Sequence, residues 1–406
     1  MHISRPICLL LLAGLSLTGF YYGSSQNTNA PISALLPEPV IHIPATTQQP
    51  DSPNLHAAYA CVMDGESLRP LYKKEADKIV PMASTTKIMT ALLALESGRT
   101  EETVTASARA CSMPKVHLGM KKGEQFRLMD LLHSLMLESH NDTAVAIAEH
   151  IAGTVENFAA EMNQKAKAIG LKHTHFVTPN GLDAESHGST ASDMCRLAAY
   201  AAGNKDFLNL VQTKSYSFSN CSGTRTYSLT NRDAFLSYYD GALGIKTGFT
   251  NKAGYCFVGA ARRNGITLTS CVLACGWPPN KSFKWTDTKL LMDYGFEHFY
   301  KSELPLQDLS IVRIPVEDGK KDFVSCVSPK KVQTLLSRSD TLTIRYDLPQ
   351  KLYAPIKEQT KIGTVSYYIN DILFRKDSVF PSESIEKSDF SDTMNFVLNV
   401  WMELFV

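Results

Sequence analysis

Apolar and polar positions follow two different patterns along the chain. From about residue 57 to residue 300, stretches with helical periodicity alternate with strand-like stretches. From about residue 310 the pattern changes to short alternating strands broken by turns, such as "SIVRIPV", "TLTIRY" and "GTVSYY". The pattern predicts a large domain that mixes helices and strands, followed by a small β-rich domain.

The last segment of the chain is amphipathic. Polar residues recur at helical spacing in residues 391–406 and leave a wide apolar face made of Phe396, Val397, Leu398, Val400, Trp401, Leu404 and Phe405. The segment is too short and too polar on one side to span a bilayer. It fits either a helix packed on the protein's own core or a helix lying in a membrane surface, and its position behind a Ser- and charge-rich spacer favours the membrane.

The beginning of the chain has the pattern of an export signal. A short basic region precedes an apolar run from Ile7 to about Leu17, which is short for a retained membrane anchor, and small residues follow. Residues 26–54 are rich in Pro, Thr, Asn and Gln and are typical of a linker. The predicted organisation is a signal peptide (1–25), a linker (26–54), a main domain (55–305), a β-rich domain (306–380), and a spacer with the amphipathic helix (381–406).

Composition narrows the function only slightly. The 406 residues are 44% hydrophobic and 20% charged, as in soluble globular proteins, and 41 Lys and Arg balance 40 Asp and Glu, so no net charge favours a nucleic-acid partner. Eight cysteines follow the predicted signal, and no pair has C-x-x-C spacing. We expect free, mostly buried thiols and no zinc site; they are Cys61, Cys111, Cys195, Cys221, Cys256, Cys271, Cys275 and Cys326.

A lysine inside an apolar helix gives the first chemical clue. In "MASTTKIMTALLALESG", residues 82–98, apolar residues surround the predicted helix almost completely, yet Lys87 lies one turn into it. An unpaired ammonium there would cost several kcal/mol of desolvation, so the amine needs a partner or is kept neutral. Ser84 precedes it by three residues and shares its face, so a neutral amine could take the serine proton.

Two further stretches contain polar residues of the same chemistry. Ser139 and Asn141 lie between two apolar helical runs, and Lys246-Thr247-Gly248 ends the first of three predicted strands that are joined by turns at 251–254 and 264–265. Each alone is common as a helix cap or a turn. In this order they match the Ser-x-x-Lys, Ser-x-Asn and Lys-Thr-Gly set of penicillin-binding proteins and β-lactamases.

With these motifs the chain resembles the serine-type D-alanyl-D-alanine carboxypeptidases, the low-molecular-mass penicillin-binding proteins of peptidase family S11. The likeness extends to "FVTPNGLDAESHGSTASDM" (176–194) and "GIKTGFTNKAGYCFVGAARRNG" (244–265). It is strong over about residues 55–300 and weaker through the β domain and terminal helix. The resemblance implies an α/β (α+β) transpeptidase fold with a central antiparallel sheet and a helical subdomain, plus a small C-terminal all-β domain.

The resemblance also implies roles for eight residues. Ser84 would attack the carbonyl between the two terminal D-alanines of a peptidoglycan stem pentapeptide, with Lys87 as base. Ser139 would relay a proton to the leaving nitrogen, and Asn141 would position Lys87 and the substrate amide. The expected substrate-binding residues are Lys246 and Thr247 for the terminal carboxylate, Gly248 for space along the strand edge, and Phe249, whose N–H joins that of Ser84 in the oxyanion hole. Lys246 is also expected to be catalytic, because its charge would help to keep Lys87 neutral.

Water would release the tetrapeptide, and penicillins would form a slowly hydrolysed ester at Ser84. No metal or organic cofactor and no nucleic acid is implied. The partners would be the stem peptide, β-lactam inhibitors and, through the terminal helix, a membrane surface. The protein would be exported to the outer face of the cytoplasmic membrane or to the cell wall, with a role in cell-wall synthesis and remodelling.

Other functions fit the same motifs. A class A β-lactamase would need a Glu-x-x-Leu-Asn stretch, which Glu149, Glu156, Glu161 and Glu185 all lack. Endopeptidase or transpeptidase activity on the same bonds stays open, as does a catalytically idle wall-binding protein, although an idle copy has no chemical need for the motif residues.

Four more residues stay outside the predicted site. His140 occupies the middle of Ser-x-Asn, where the family usually has a small residue, and it is not expected to be a base. His187 stays outside because a lone loop histidine is more often structural. Arg262 and Arg263 could help to bind a carboxylate, but they are not included in the predicted site.

Overall fold

The computed structural model describes residues 40–304, 312–327 and 331–403. The described chain divides into a larger unit, Gln48–Glu303 with Gln333–Arg338, and a smaller unit formed by the other described residues. The expected signal peptide, the boundary at residue 305 and the apolar residues Leu404 and Phe405 lie outside the described residues.

The strands have the following bounds. In chain order they are β1 (Val40–Ile43), β2 (Tyr59–Asp64), β3 (Pro70–Lys74), β4 (Thr103–Thr105), β5 (Gln125–Arg127), β6 (Ser215–Ser219), β7 (Thr226–Thr230), β8 (Ala242–Thr250), β9 (Gly254–Arg263), β10 (Ile266–Leu273), β11 (Tyr300–Glu303), β12 (Arg313–Glu317), β13 (Phe323–Val327), β14 (Gln333–Leu336), β15 (Leu342–Asp347), β16 (Leu352–Tyr353), β17 (Gly363–Ile369) and β18 (Ile372–Pro381).

The helices complete the described structure. They are α1 (Lys87–Glu96), α2 (Ala108–Cys111), α3 (Leu128–His133), α4 (Asn141–Ala152), α5 (Val155–Ala168), α6 (Ala191–Ala202), α7 (Lys205–Gln212), α8 (Phe235–Tyr238), α9 (Phe283–His298) and α10 (Phe390–Glu403), with a 3₁₀ helix at Ala83–Thr86 and a π-helix at Ser134–Glu138.

An antiparallel five-stranded sheet, in the order β3-β2-β10-β9-β8, organises the larger unit. The predicted turn between β9 and β10 is present: Asn264 and Gly265 both have positive φ, 50° and 74°, which suits a two-residue hairpin. The three expected strands at 242–273 and the expected central antiparallel sheet are confirmed.

The sheet is buried on both faces. Along β9, Cys256 and Val258 join one apolar cluster while Phe257 joins another. Helix α6 packs on the strands from the first side, and α9 packs from the second. Burial on both faces explains why "TLTSCVLAC" is a nearly continuous apolar run. The first cluster continues into the helices around α1, which form the expected helical subdomain.

The smaller unit is built around a seven-stranded sheet in the order β1-β15-β17-β18-β13-β12-β16. Its neighbours pair antiparallel except β12 and β16, which pair parallel. Inward and outward residues alternate in β12 and β13, as the sequence pattern predicts. No helix among the described residues has the length and apolar content needed to cross a membrane.

Two segments lie differently from the expected organisation. β1 falls within the expected linker and pairs with β15, from Val40 opposite Arg345 to Ile43 opposite Leu342. β14, from the expected β domain, pairs with β11 in the larger unit. Backbone pairing of an edge strand needs few apolar side chains, so composition alone does not separate such a strand from a linker.

The eight cysteines of the described chain are free thiols, as expected. Six are buried, Cys111 is partly buried, and Cys221 is exposed.

Candidate active site

A tight turn presents Ser84 at the start of α1. Ala83 has a left-handed backbone (φ 49°), which is unusual for a residue other than glycine, and the 3₁₀ helix follows at once. Two buried threonines tie the turn: Thr85 Oγ1 donates to Met82 O at 2.6 Å, and Thr86 Oγ1 donates to Ala83 O at 2.8 Å. The Thr86 bond acts on the strained residue Ala83 itself, whereas the Thr85 bond ends on the residue before it.

The Lys87 amine lies among three oxygen atoms. Its Nζ is 2.9 Å from Ser84 Oγ, 2.9 Å from Asn141 Oδ1 and 2.6 Å from the carbonyl oxygen of Asn180. The side chain is fully buried. The expected pair of Ser84 and Lys87 is therefore in hydrogen-bond contact, with Asn141 beside it.

Burial is the main influence on the Lys87 charge. It lowers the pKa of Lys87 well below the ordinary lysine value, the positive charge of Lys246 lowers the pKa further, and the Asp142 carboxylate opposes both. The site therefore favours the neutral amine.

The Ser-x-Asn motif spans a sharp change of backbone direction. The π-helix ends at Glu138, the following Ser139 has a left-handed backbone (φ 68°, ψ 32°), and Asn141 begins α4. Asn141 Nδ2 donates to Pro114 O at 3.2 Å, so its Oδ1 is the atom that faces Lys87. Both polar residues of the motif are thus presented from the loop between two helices, as the sequence predicts.

Strand β8 lies directly against the turn at residues 82–86 that carries Ser84, which we call the nucleophile turn. A Cβ added to Gly248 would lie 3.0 Å from Ser84 N and 3.1 Å from Ala83 Cβ, so a side chain there would press on the turn that carries Ser84. Lys246 is 2% exposed, and its Nζ donates to Thr247 O at 3.2 Å. Burial lowers the pKa of Lys246 to about 8, although the Asp233 carboxylate opposes the change.

The loop at residues 176–190 supplies groups that sequence reasoning missed. The carbonyl of Asn180 accepts from Lys87 and lies 3.4 Å from Ser84 Oγ. Gly181 has φ +82°, and a Cβ there would lie 2.0 Å from Ala83 O. The Gly after Asn in "TPNGLD" was the available signal, because both conformation and space exclude a side chain.

An open cleft of about 290 Å³ runs past these groups. Ser84, Ser139, Asn141, Thr247, Gly248 and Phe249 line it, whereas Lys87 and Lys246 lie behind its wall. Four cations that the sequence did not single out also line the cleft: Lys115, Arg232, Lys281 and Lys284. Its acidic lining residue, Glu138, pairs with Arg232 at 3.3 Å, so the cleft favours a ligand with negative charge.

A family model described as D-alanyl-D-alanine carboxypeptidase matches residues 45–276. The chain belongs to this family. A second model, for the C-terminal domain of penicillin-binding protein 5, matches residues 300–387. The resemblance inferred from the motifs is confirmed.

Similar proteins extend over most of the chain. The D-alanyl-D-alanine carboxypeptidase DacF of Bacillus subtilis is 27% identical over 354 residues, which are 85% of this chain and 90% of DacF. DacB2 of Mycobacterium tuberculosis is 34% identical over 249 residues, which are 61% of this chain and 84% of DacB2.

Solved structures agree on the fold. Penicillin-binding protein 5 of Haemophilus influenzae has a TM-score of 0.70 at 26% identity and covers 84% of this chain and all of its own. The Streptomyces K15 DD-transpeptidase has a TM-score of 0.57 at 32% identity, over 61% of this chain and 99% of its own. The expected penicillin-binding fold with a C-terminal all-β domain is confirmed.

In this family member the unusual His140 lies outside the cleft lining. It is 6% exposed, its Nδ1 is 2.7 Å from Ser134 Oγ, and its Nε2 is 3.5 Å from Glu138 Oε2. Burial lowers the pKa of His140 to about 4. The ring is thus neutral near pH 7 and fills space under the motif.

The two arginines left outside the predicted site also lie outside the cleft lining. Arg262 Nε donates to Thr267 Oγ1 at 2.9 Å, and Arg263 Nε donates to Asp240 O at 2.9 Å. His187 differs, because its ring contacts the nucleophile turn through Thr86.

Proposed function

We propose that this protein is a serine-type D-alanyl-D-alanine carboxypeptidase that removes the terminal D-alanine of peptidoglycan stem pentapeptides through an acyl-enzyme on Ser84. The observation that carries the proposal is the position of the buried Lys87 amine between Ser84 Oγ and two carbonyl oxygens. Membership of the carboxypeptidase family supports the reaction class.

The three oxygens around Lys87 define the direction of proton transfer. A neutral amine has two N–H donors and one electron pair. The oxygens of Asn141 and Asn180 are carbonyls, which can only accept, so they take both donors. For the reacting state we assign the electron pair to the side of the Ser84 hydroxyl, whose oxygen lies 2.9 Å from Nζ, as a general base requires.

The reaction then balances without further reagents. Ser84 Oγ bonds to the carbonyl carbon between the two D-alanines while its proton passes to Lys87. The carbon–nitrogen bond breaks, and the leaving nitrogen takes a proton through Ser139. Water adds to the resulting ester as Lys87 takes one of its protons, the bond from the acyl carbon to Ser84 Oγ breaks, Ser84 regains a proton from Lys87, and the shortened peptide leaves with a new carboxylate. Penicillin enters the first step in the same way, with its strained amide as the acceptor.

Backbone and cationic groups complete the site. The close approach of Gly248 to Ser84 N supports an oxyanion hole formed by the N–H groups of Ser84 and Phe249. We assign the terminal carboxylate to Thr247, which lines the cleft, and to the charge of Lys246 behind the cleft wall; Arg232 offers a further cation at the cleft. Asn141 keeps Lys87 and the substrate amide in register.

For the terminal helix we propose attachment to a membrane surface. Several apolar residues of α10 are exposed, with Phe390 at 78%, Leu398 at 49% and Trp401 at 55%. Burial of such residues at a lipid interface is favourable, and the helix is too short to cross it. With the export pattern of residues 1–25, this supports a location at the outer face of the cytoplasmic membrane, with 55–305 as the catalytic domain.

The test is mass spectrometry of a pentapeptide muropeptide incubated with the full chain and with Ser84→Ala. Loss of one D-alanine in the wild type alone supports the proposal. Cross-linked dimers would indicate transpeptidation, the activity for which the Streptomyces K15 DD-transpeptidase is named. An unchanged substrate, without a penicillin adduct on the wild type, would favour an idle wall-binding protein.

A further inference from the structure

A histidine of the 176–190 loop connects that loop to the nucleophile turn. His187 is 7% exposed, its Nδ1 accepts from Val177 N at 3.0 Å, and its Nε2 is 3.0 Å from Thr86 Oγ1. Because a backbone N–H can only donate, Nδ1 carries the electron pair and Nε2 carries the proton of the neutral ring.

The bond therefore has a defined direction into the turn. Thr86 Oγ1 donates its single hydrogen to Ala83 O at 2.8 Å, so it can only accept from His187 Nε2. A chain of hydrogen bonds runs from the loop through His187 and Thr86 to the carbonyl before Ser84. Ala83 has the left-handed φ of 49°, so this carbonyl belongs to the strained residue of the turn.

The same loop carries the carbonyl that contacts the catalytic amine. Asn180 O lies 2.6 Å from Lys87 Nζ, and the adjacent Gly181 fills the space beside Ala83 O. A shift of the loop against the turn would therefore move the acceptor of one Lys87 N–H. The electron pair of the amine would then turn away from Ser84 Oγ.

We propose that His187 is a positioning residue for acylation: by fixing the nucleophile turn against the 176–190 loop through Thr86, it keeps the Lys87 electron pair aimed at Ser84. This inference rests on the proposed function and adds a residue that does not touch the substrate. A merely structural histidine would affect stability without a specific effect on acylation.

The charge state of His187 is compatible with this role. Burial lowers the pKa of His187 to about 4, and the nearby His175 lowers it further. The groups at its two ring nitrogens are the N–H groups of Val177 and Thr178 and the Thr86 hydroxyl, which are uncharged. The neutral ring with its proton on Nε2 thus persists near pH 7.

The experiment measures the second-order acylation rate by benzylpenicillin, and kcat and KM for the pentapeptide, in full-chain variants. Thr86→Val removes the hydroxyl, and His187→Asn keeps an acceptor for Val177 N–H but removes Nε2. Thr86→Ser restores the hydroxyl. Thr85→Val is the matched control, because it removes the same kind of bond in the same turn without the histidine.

We expect Thr86→Val and His187→Asn each to slow acylation about tenfold to hundredfold with KM little changed, since misalignment at a reacting pair is costly. The double variant should be no slower than the worse single one, because both break one chain. Thr86→Ser should recover most of the rate, and Thr85→Val should lose far less.

Additive losses in the double variant, or an equal loss in Thr85→Val, would overturn the inference. The inference would also be overturned if the loss of acylation rate across the variants simply followed the loss of melting temperature. A wild type that releases no D-alanine would instead refute the proposed function, so the two failures are distinguishable.

Discussion

Helices α1 and α10 are opposites in how they mix polar and apolar groups. In α1, Lys87 is fully buried, as are its apolar helix neighbours Ile88 and Leu92. In α10, Leu398 and Trp401 are about half exposed. Burying an amine that has no hydrogen-bond partner costs several kcal/mol. Covering exposed apolar residues lowers the free energy. The buried amine of Lys87 therefore indicates a catalytic role. The exposed apolar residues of α10 indicate a face that binds another surface.

The substitution Lys87→Met tests most sharply whether the buried lysine of α1 is the general base. We expect acylation and peptide hydrolysis to fall about 10³-fold or more, because the general base is lost. Lys205→Met is the control, since Lys205 also begins a helix, α7, but is exposed. Fluorescent-penicillin labelling measures both variants. Comparable losses in the two would remove the distinction between buried and exposed lysines.

A matched pair of leucines compares packing in the two helices. Leu92→Ala should lower the free energy of unfolding by about 2–5 kcal/mol, because Leu92 is fully buried. Leu398→Ala, at 49% exposure, should change it by no more than about 0.5 kcal/mol in the absence of lipid. Urea denaturation measures both values. A large loss for Leu398→Ala would mean that α10 packs as core.

Lipid should distinguish the exposed face of α10 from the rest of the helix. Trp401→Glu should weaken binding to phosphatidylcholine vesicles about hundredfold, because a charge replaces apolar area buried at the interface. Ser391→Glu adds the same charge to the same helix and should change binding little. Vesicle co-sedimentation gives the partition coefficients, and kcat on a soluble pentapeptide should be unchanged in both. Equal binding by both variants would refute the membrane role.

Alkaline pH should affect the catalytic site and leave the terminal helix unchanged. The pKa of Lys246 is lowered to about 8, so above that pH its charge is lost and KM should rise by up to about tenfold per pH unit. Between pH 8 and the ordinary lysine value the unfolded chain binds more protons, so this residue should make the free energy of unfolding rise with pH.

Steady-state kinetics and urea denaturation across this range, with Lys246→Met as reference, measure both trends. Vesicle binding should stay constant. A KM that is flat through about pH 9, or the same in the reference variant, would contradict the assigned role of Lys246.

The sequence predicted those parts of the site that depend on side-chain identity and on the helical or strand-like periodicity of apolar residues. The apolar periodicity around Lys87, the helix boundary at Asn141 and the strand that ends in Lys246-Thr247-Gly248 all have local signals. The expected penicillin-binding fold came from the family resemblance that these motifs carry.

Other features depend on backbone groups or on contacts between distant segments. The Asn180 carbonyl leaves no side-chain signature, and Thr86 and His187 are 101 residues apart in sequence. Of the cleft cations, Lys281 lies just before α9 and Lys284 lies in its first turn. Nothing in the local sequence distinguishes them from surface lysines. Strand β1 lies in a polar segment, and its partner β15 is far away in the sequence, so no local pattern indicates the pairing.

The central claim is that Lys87 is a neutral amine at rest, aimed at Ser84. The most direct measurement is a pH titration of ¹³Cε-labelled lysine by NMR, with the Lys87 signal assigned by its absence in Lys87→Met. We predict that this signal titrates far below the ordinary lysine range and reports an uncharged amine at the pH where the enzyme is active. A Lys87 signal that titrates with the surface lysines would contradict the account.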